Sequence, residues 1–441
     1  MYEALAKGEL RYLFLAPEQL AKSDVLQRLA AAEPALFVVD EAHCIASWGH
    51  DFRPDYLRLG DAVRTLGRPV VLALTATASR PVQDEIVQAL GMRSPALVVA
   101  GLDRPNLRLD VRTAADPDAR RELVLEQAST EAGCGIVYTA TRRDVEEYAT
   151  ALTERGRRVA PYHAGLRKAD RAATHEAFLA GELEIVTATT AFGMGIDKPD
   201  IRFVIHAALA DSLDSYYQEI GRAGRDGEKS RALLIHRPGD LGLRRFLSST
   251  PPPEKAVGQV LAAVAEAAEP VLRTALADHL QLSRSMVGRC CSLLERAGAV
   301  RFDRRNRLCL VDGSSTALAT AVALGETTQR VAQSRLDMMR EYTETRSCRR
   351  QFLLSYFGEE LDQPCGNCDT CAAGPRRPES TGSSPYRLND RVRHQEFGDG
   401  VVLRDEGDRI VVRFDDFGYR TLSVAAVTTD HLLAPVRSPD H

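Results

Sequence analysis

An acidic pair follows a short apolar segment in the first part of the chain. Asp40 and Glu41 come directly after Leu36-Phe37-Val38-Val39, a run typical of a buried strand. A strand that ends in an Asp–Glu pair is how nucleotide hydrolases hold Mg²⁺ and orient the attacking water. We therefore expect Asp40 to hold Mg²⁺ through water and Glu41 to activate the attacking water. The alternative is that Asp40 only caps a helix after the strand.

His43 follows the acidic pair and is assigned to the same group of residues. We expect it to contact Thr75 and Thr77, which come after the next apolar strand, and to relay the state of a bound nucleotide. Taken alone, His43 is better explained as a satisfied histidine of the core. Thr75 and Thr77 are expected at the nucleotide site because ligands gather at the carboxyl ends of parallel strands.

An aromatic and basic segment lies directly behind the acidic pair. Gly49 and Pro54 make this segment loop-like, and it holds the only tryptophan of the chain. Its rings and its guanidinium group are suited to stacking on bases, and a core-packing aromatic cluster is the alternative. The residues that we expect to contact nucleic acid here are Trp48, His50, Phe52, Arg53 and Tyr56.

Nucleotide chemistry and nucleic-acid contact would thus be adjacent in the chain, which suggests a motor protein. A motor of this kind also needs a loop that cradles the phosphates of ATP. No G-x-x-x-x-G-K-[ST] occurs in the sequence, so that cradle is missing from these residues.

Two arginines stand three residues apart in the second half of the chain. Arg222 and Arg225 belong to the stretch from Gln218 to Gly227, and their spacing places them on one face of a helix. Both could then contact a triphosphate held by an opposite lobe, where a guanidinium stabilises charge on the transferring phosphoryl group. Gln218 is assigned to the same catalytic group. The alternative is a solvated basic helix end.

A glycine-containing segment, Ala191 to Asp197, joins a predicted strand to the next element. Glycine permits close approach of the backbone to phosphate or ribose, and we expect Gly193, Gly195 and Asp197 to contact the nucleotide. An ordinary tight turn explains the segment equally well.

Four cysteines are spaced as ligands of a metal ion. Cys365, Cys368 and Cys371 are separated by two residues each, and Cys348 precedes them. Four thiolates suit a tetrahedral Zn²⁺ whose role is structural, because no coordination position is left open. The cluster favours a metal over disulfides and therefore a reducing cytoplasm. The remaining thiols are expected to be buried and structural: Cys44, Cys134, Cys290, Cys291 and Cys309.

A basic segment lies between residues 284 and 307. It holds seven arginines against only Glu295 and Asp303, whereas the whole chain has a net charge of −4 and a pI near 6.2. Any nucleic-acid surface must therefore be local, and this segment is the candidate for contact with a duplex. The alternative is a segment used only for protein packing. The residues expected to contact phosphates are Arg284, Arg289, Arg304 and Arg305.

The apolar pattern predicts the architecture that positions these residues. Continuous apolar runs alternate with helical stretches, which indicates two α/β lobes with parallel sheets, over residues 1–104 and 105–250. A winged helix is expected over 254–312 and a zinc-binding helical module over 326–372. A flexible linker, 373–385, then leads to a small β-barrel over 386–436. Residues Met1 to Leu15 do not have the charged-then-apolar layout of a signal peptide, and no run approaches the roughly 18 apolar residues of a membrane span.

Residues 10–371 resemble a RecQ-family DNA helicase of superfamily 2. The resemblance rests on Leu15-Ala16-Pro17-Glu18, on the Asp40–Tyr56 run, on Leu74-Thr75-Ala76-Thr77-Ala78, and on further motifs in the second half: Asp103-Arg104-Pro105-Asn106, Tyr162-His163-Ala164-Gly165-Leu166, the Phe192–Pro199 segment and Tyr216–Gly227. It implies two RecA-like lobes and ATP-dependent 3′-to-5′ unwinding of DNA in repair and recombination. The implied ligands are ATP, Mg²⁺ and structural Zn²⁺, and the implied partners are single-stranded and junction duplex DNA in a cytoplasmic, nucleoid-associated protein. Arg225 is cast as the arginine finger, and the Trp48–Tyr56 loop couples DNA to hydrolysis.

Two of the departures of this chain from the family bear directly on its expected activity. Members carry a P-loop strand and helix before the acidic pair, so we expect lobe one to be incomplete, the start of the gene to be lost and this chain to be inactive as it stands. The winged helix precedes the zinc module, which puts a duplex-separating role of its wing in doubt. The tail, 386–436, resembles the small barrel of some UvrD-type helicases and is either a protein-docking module or a stabilising appendage.

Two further hypotheses compete with a helicase. A DNA-binding adaptor could have lost ATP hydrolysis, although it would need none of Asp40, Glu41, Arg222 and Arg225. An RNA helicase of the same superfamily is disfavoured by the four cysteines and by the Trp48–Tyr56 loop.

Overall fold

The computed structural model describes residues 2–20, 22–45, 56, 58–76, 78, 80–193, 196–240, 251–303, 305, 307–374, 384–405 and 407–436. The chain forms two compact units. The first unit consists of Met1–Val98 and Ser249–Ala332, and the second consists of Val99–Ser248 and Gln333–His441. Within the described residues, no helix is long and apolar enough to cross a membrane.

The start of the first unit is a small α/β layer. Strands β1 (Leu36–Val39) and β2 (Val70–Ala73) pair in parallel, and Val39 and Ile45 lie in the core behind them. The opposite face of the pair stays about half exposed, as at Val38 and Leu72. The accompanying helices are Tyr2–Ala6, Pro17–Leu20, Ser23–Ala30, Leu59–Thr65 and Arg80–Leu90, with a 3₁₀ turn at Ala42–Ile45.

The second unit begins with a parallel six-stranded sheet, which confirms the predicted α/β lobe. Its strands are β3 (Leu107–Thr113), β4 (Cys134–Tyr138), β5 (Val159–Tyr162), β6 (Ile185–Ala188), β7 (Ile201–His206) and β8 (Ser230–His236). The order is β3-β8-β7-β4-β6-β5, so β3 and β5 are the edges. The inner strands are covered on both faces, which is why they consist of continuous apolar runs. Helices Pro117–Thr130, Arg142–Glu154, Lys168–Leu179 and Leu213–Ile220 connect the strands.

The later part of the first unit is helical and ends in a hairpin. Helices Glu254–Glu266, Arg273–Leu280 and Arg284–Arg296 precede the antiparallel strands β9 (Val300–Phe302) and β10 (Leu308–Leu310). The predicted N-cap is confirmed, because the Ser283 hydroxyl accepts a hydrogen bond from the Met286 N–H at 3.1 Å. This order of elements matches that expected of a winged helix, and the assignment to that class stays a prediction.

A long helix, Ser315–Glu344, contains the division between the units and leads to the helices Arg349–Tyr356 and Asp369–Ala372. The helix starts well before residue 326, where the sequence predicted it. Ser314 caps this start, because its hydroxyl accepts from the Ala317 N–H at 3.2 Å. Cys348 stands in the break before the next helix.

The tail folds as a five-stranded antiparallel sheet. Strands β11 (Arg391–His394), β12 (Gly398–Asp405), β13 (Arg409–Phe414), β14 (Gly418–Ser423) and β15 (Leu433–Pro435) adopt the order β14-β13-β12-β11-β15, with a short helix at Val424–Thr429. Val402, Ile410 and Val412 lie in the core of this sheet. Its closure into a barrel stays a prediction, and the central part of the predicted linker lies outside the described residues.

Candidate functional site

The acidic pair lies at the carboxyl end of β1, where the sequence placed it. The Asp40 carboxylate accepts a hydrogen bond from the Glu41 N–H at 2.9 Å and stays exposed to solvent. Glu41 adopts φ of 49°, a left-handed conformation that is uncommon for residues other than glycine. Strained backbone of this kind clusters at functional sites. Because carboxylate oxygens are the ligands that Mg²⁺ prefers, an exposed Asp40 fits a water-mediated role.

His43 connects the two strand ends of the first unit. Its side chain is buried, and its Nδ1 lies 3.0 Å from Thr75 Oγ1 and 3.3 Å from Glu41 Oε2. The contact with Thr75 is the one that the sequence predicted, while Thr77 lies outside the described residues. The histidine is therefore both a buried residue and a direct link between the acid and the neighbouring strand.

The aromatic segment is only partly described. Trp48, His50, Phe52 and Arg53 lie outside the described residues, so their assignment to DNA stays a prediction. Tyr56 is buried, and its hydroxyl donates a hydrogen bond to the Asp40 carbonyl at 3.3 Å. Its ring packs in the core of the first unit, and the expected contact of Tyr56 with nucleic acid stays a prediction.

In the second unit, the arginine pair does not lie on a helix. The helix Leu213–Ile220 ends before Arg222 and Arg225, which lie in the turns that follow. The predicted helical face is therefore wrong. Gly224 adopts φ of +61°, and an added Cβ there would stand 2.6 Å from both Asn106 Nδ2 and Ser230 Oγ. This close approach requires glycine at the turn between the two arginines.

The two arginines differ in exposure and in partners. Arg222 is 5% exposed, whereas the Arg225 side chain is 37% exposed and donates to the Ile196 carbonyl at 2.9 Å. Arg225 also pairs with Asp197, at 3.0 Å between Nη1 and Oδ1. Asp197, which the sequence assigned to the nucleotide, is thus the partner of an arginine here. Gln218 is half-buried on the preceding helix.

Gly193 faces the buried arginine. An added Cβ on Gly193 would stand 3.0 Å from the Thr190 carbonyl oxygen and 3.5 Å from Arg222 Nη2. The predicted close approach at this glycine is therefore to Arg222, and Gly195 lies outside the described residues. The Phe192 carbonyl just before it accepts a hydrogen bond from the Tyr138 hydroxyl at 2.7 Å.

Sequence reasoning missed a buried polar group beside this loop. His206 Nε2 and Glu219 Oε2 lie 2.7 Å apart, and both residues are buried. The Tyr138 ring stacks on His206 with ring centroids 5.3 Å apart, and burial raises the pKa of Tyr138 well above its usual value. Their positions in the sequence could have indicated this group. Tyr138 and His206 end inner strands, and Glu219 belongs to the stretch from Gln218 to Gly227 that contains both arginines.

The four cysteines come together as predicted. The sulfurs of Cys348, Cys365, Cys368 and Cys371 all lie within 4.8 Å of one another, and Cys365 Sγ is 4.0 Å from Cys371 Sγ. Tetrahedral Zn²⁺ with bonds of about 2.3 Å would place its sulfurs roughly 3.8 Å apart, so the cluster fits zinc. Backbone N–H groups of Cys365 and Cys371 donate to the sulfurs of Cys348 and Cys368 at 3.3 and 3.4 Å. Such bonds stabilise thiolate ligands.

The segment Cys365–Cys371, here called the zinc turn, contacts strand β3 of the parallel sheet. Leu109 forms a bridge with Cys368, and the Asp369 carboxylate accepts from the Val111 N–H at 3.0 Å. Asp369 also pairs with Arg349 at 2.5 Å. The module therefore braces the helix Arg349–Tyr356, as expected. Of the other thiols, Cys290 and Cys291 are buried, which raises their pKa values to about 11 and about 12, whereas Cys134 and Cys309 are only half-buried.

Fewer arginines of the basic segment are exposed and unpaired than its composition suggests. Arg284 and Arg305 are exposed, Arg289 is half-buried, and Arg304 lies outside the described residues. Arg307 pairs with Asp303 at 2.8 Å, and hydrogen bonds led by the Arg307 N–H lower the pKa of that carboxyl. Burial lowers the pKa of Arg296. The phosphate contacts predicted for this segment stay predictions.

Three known families match parts of the chain. Residues 1–85 match the DEAD/DEAH box helicase family, residues 118–227 match the helicase conserved C-terminal domain, and residues 303–372 match the RecQ zinc-binding family. Among solved structures, the Mycobacterium smegmatis helicase Lhr bound to ssDNA and AMP-PNP is 22% identical, with 72% of this chain and 45% of that chain covered. The TM-score of this match is 0.43.

Curated relatives match over most of the chain. The "Probable ATP-dependent DNA helicase RecS" of Bacillus subtilis strain 168 is 34% identical over 363 residues, which cover 82% of this chain and 70% of the relative. The "ATP-dependent DNA helicase RecQ" of the same strain is 31% identical and covers 91% of this chain. This chain spans 56% of that RecQ and 48% of the RecQ of Haemophilus influenzae. With an acid pair after a parallel strand, an arginine pair in the turns after the helix Leu213–Ile220 and a cluster of four cysteines, the chain belongs to the RecQ family of ATP-dependent DNA helicases.

Proposed function

We propose that this chain carries catalytic parts of a RecQ-type motor that unwinds DNA from 3′ to 5′ during repair and recombination. Its substrates are ATP with Mg²⁺ and DNA with a single-stranded region beside a junction duplex. The protein works in the cytoplasm, at the nucleoid. The relatives are named ATP-dependent DNA helicases, and the chain spans only part of their length.

The observation that carries this proposal is the contact of His43 with both Glu41 and Thr75. Glu41 is the residue proposed to orient the attacking water, and Thr75 follows the neighbouring strand. Because His43 Nδ1 lies 3.0 Å from the Thr75 hydroxyl and 3.3 Å from the Glu41 carboxylate, a displacement of either strand end changes the position of the acid. Bound Mg²⁺ would neutralise phosphate charge, and Asp40 is the residue that would hold it.

The second unit supplies the proposed arginines. Arg222 Nε is buried and has no hydrogen-bond partner among the described residues. A buried guanidinium with an unused donor is costly, and a phosphate oxygen would remove that cost. Arg225 would act as the finger after exchanging its contact with Asp197 for phosphate, and Gln218, Gly193 and Gly195 would line the same site. These arginines stabilise charge that develops on the transferring phosphoryl group.

Zinc has a structural role in this proposal. Four thiolates leave no position for a substrate, and their turn is hydrogen-bonded to the parallel sheet. The exposed arginines Arg284 and Arg305, together with Arg289 and Arg304, would contact duplex phosphates. The residues Trp48, His50, Phe52 and Arg53 would contact single-stranded DNA.

A DNA-binding adaptor is the second candidate, and one observation favours it. The sequence has no G-x-x-x-x-G-K-[ST], so turnover requires a phosphate-binding element besides these residues. We expect the 441-residue chain to bind DNA without hydrolysing ATP.

The experiment is a DNA-stimulated ATPase assay of this chain alone and of the chain fused to a RecQ-type segment that carries a P-loop. We expect only the fusion to hydrolyse ATP. In the fusion, Glu41→Gln should abolish turnover and preserve ATP binding, whereas Glu9→Gln, at an exposed position, should change neither. Unchanged turnover in the Glu41 variant would remove this residue from its role. A fusion that binds DNA but never hydrolyses ATP would establish the adaptor.

A further inference from the structure

The turn over residues 221–228, here called the arginine turn, is held by a side chain from the segment before strand β3. The guanidinium of the half-buried Arg104 donates hydrogen bonds to three backbone carbonyls of this turn. These carbonyls accept at 3.3, 2.9 and 2.7 Å and belong to Gly221, Ala223 and Gly224. Carbonyls at the end of a helix lack intrahelical donors, and the helix dipole favours a cation there. Arg104 therefore fixes the backbone on both sides of Arg222.

A second side chain of the same segment also holds the arginine turn. Asn106 Nδ2 donates to the Gly224 carbonyl at 2.8 Å and to the Glu228 carbonyl at 2.9 Å. The Gly224 carbonyl thus accepts from both Arg104 and Asn106, which its two lone pairs permit. Arg225 lies in the chain between the two residues whose carbonyls Asn106 holds.

The zinc turn in turn holds the segment that contains Arg104 and Asn106. Asn367 Nδ2 donates to the carbonyl of Pro105, the residue between them, at 3.0 Å. The Asn367 backbone carbonyl also accepts from the Leu109 N–H at 3.4 Å, in the strand that follows. Hydrogen bonds therefore run from the zinc turn through this segment to the arginine turn, within one compact unit.

We propose that Arg104 and Asn106 are positioning residues that hold the arginine turn in place for phosphate, and that Asn367 fixes them to the zinc turn. The importance of this arrangement for catalysis rests on the proposed function of Arg222 and Arg225. A displacement of about 1 Å caused by a substitution away from the chemistry can lower a rate about 100-fold. Arg104 and Asn106 would thus act through the two arginines, without contacting the nucleotide.

The test measures backbone hydrogen–deuterium exchange of the 441-residue chain without nucleotide. The readout is exchange of the Gly224 and Asp226 N–H groups, which donate to backbone carbonyls at 2.8 and 3.3 Å. The variants are Arg104→Ala and Asn367→Ala. Asn106→Ala removes two bonds to the same turn, and it decides the question if Arg104→Ala does not fold.

Arg157→Ala is the matched control. Arg157 also donates to three backbone carbonyls of the same unit. These accept at 3.0, 2.9 and 3.2 Å and belong to Ser129, Glu131 and Gly133. The control should accelerate exchange around 129–133 and leave the arginine turn unchanged, whereas a general loss of stability would accelerate exchange at both places.

We expect exchange of the Gly224 and Asp226 amides to accelerate about tenfold or more in Arg104→Ala, the effect of losing one buried hydrogen bond. Asn367→Ala should accelerate it less, and neither variant should change exchange at 129–133. Unchanged exchange of the arginine turn in Arg104→Ala, or equal acceleration at both places, overturns the proposal. Unchanged exchange in Asn367→Ala overturns the connection to the zinc turn.

The fusion that carries a P-loop gives a kinetic readout. Arg104→Ala should lower kcat about tenfold or more and leave KM for ATP unchanged, because the arginines act on charge that develops in the transition state. Arg157→Ala should change neither, and an unchanged kcat in Arg104→Ala would overturn the positioning role. Since the exchange assay needs no nucleotide, a fusion that never hydrolyses ATP contradicts the proposed function alone, and exchange still decides whether Arg104 holds the turn.

Discussion

At the scale of single residues, the four cysteine ligands are held unequally. Cys348 and Cys368 are buried, whereas Cys365 and Cys371 are half-buried. Cys368 also forms the bridge to Leu109, and its sulfur accepts from the Cys371 N–H at 3.4 Å. Loss of Cys368 therefore removes a metal ligand and disturbs the turn that contacts the sheet.

We expect Cys368→Ser to lose zinc and stability together. A serine oxygen is a poor substitute for a thiolate ligand, and binding of structural zinc contributes on the order of 10 kcal/mol to folding of small modules. The measurement is the metal-to-protein ratio by atomic absorption, paired with thermal unfolding. Cys134→Ser is the control, because this half-buried thiol of the same unit donates to the Asp200 carbonyl away from the cluster. An unchanged ratio in Cys368→Ser would contradict the zinc site.

His236 predicts a pH dependence of stability. Burial lowers the pKa of this histidine at the end of β8, so the unfolded chain takes up its proton at a higher pH than the folded chain does. The contribution of His236 to the free energy of unfolding is fully present above its unfolded pKa of about 6.5. This contribution is lost as the pH falls through the lower pKa of the folded protein.

Urea unfolding at about pH 8 and about pH 5 checks this expectation. The wild type should lose more stability on acidification than His236→Asn does. The control His431→Asn alters an exposed histidine at φ of 49°, a conformation that asparagine tolerates, and should follow the wild type. Parallel pH profiles of the wild type and His236→Asn would rule out this role of His236.

At the scale of elements, the C-terminal sheet is integrated into the second unit. Leu403, Val411 and Tyr419 pack in the same core cluster as the parallel sheet. The Tyr419 hydroxyl donates to the Tyr356 hydroxyl at 2.7 Å, which in turn donates to the Asp214 carboxylate at 2.5 Å. A hydrogen-bonded chain thus runs from the tail through the zinc-module helix to the helix that precedes Arg222.

We expect Tyr356→Phe to lower the free energy of unfolding by about 1–3 kcal/mol, because the Asp214 carboxylate loses its donor and the Tyr419 hydroxyl loses its acceptor. Amide exchange should accelerate in the helix Leu213–Ile220 and in β14 together. Tyr386→Phe is the control, since its hydroxyl donates to the Leu433 carbonyl at 2.9 Å within the tail itself. Faster exchange in β14 alone would mean that the chain of hydroxyls does not connect the elements.

The sequence predicted elements well where local chemistry determines them. The inner strands are continuous apolar runs, and the cysteine spacing defines the zinc turn without knowledge of the fold. The prediction that Arg222 and Arg225 share one helical face was wrong, because the turn at Gly224 between them packs against Asn106, which is distant in sequence. The stacking of Tyr138 on His206 and the burial of Tyr56 were likewise missed, since each depends on which elements pack together.

At the scale of the whole molecule, the chain is acidic overall but contains a basic segment at residues 284–307. The chain carries a net charge of −4, so we expect attraction to DNA to depend on local basic groups such as the exposed Arg284 and Arg305. Internal pairing removes part of the basic segment from this surface, as at Arg307. Binding should therefore be weak and should involve few phosphates.

We expect Arg284→Ala to weaken duplex binding by this chain, and the slope of log K against log salt to become shallower by about one unit. The measurement is fluorescence anisotropy over a salt series. Arg143→Ala is the control, because Arg143 is exposed but pairs with Glu147 in the second unit. An identical salt slope in wild type and Arg284→Ala would exclude a phosphate contact at this residue.

The zinc turn also has a consequence for the solubility of the molecule. Strand β3 is an edge of the parallel sheet, and an uncovered edge can pair with a second chain. Here the outer side of β3 is occupied, because the Val111 N–H donates to Asp369 and the Leu107 carbonyl accepts from Arg350 at 2.6 Å. Chelation of zinc would free this edge, so metal loss should be followed by intermolecular strand pairing and precipitation. We thus expect the metal to protect the protein from aggregation as well as from unfolding.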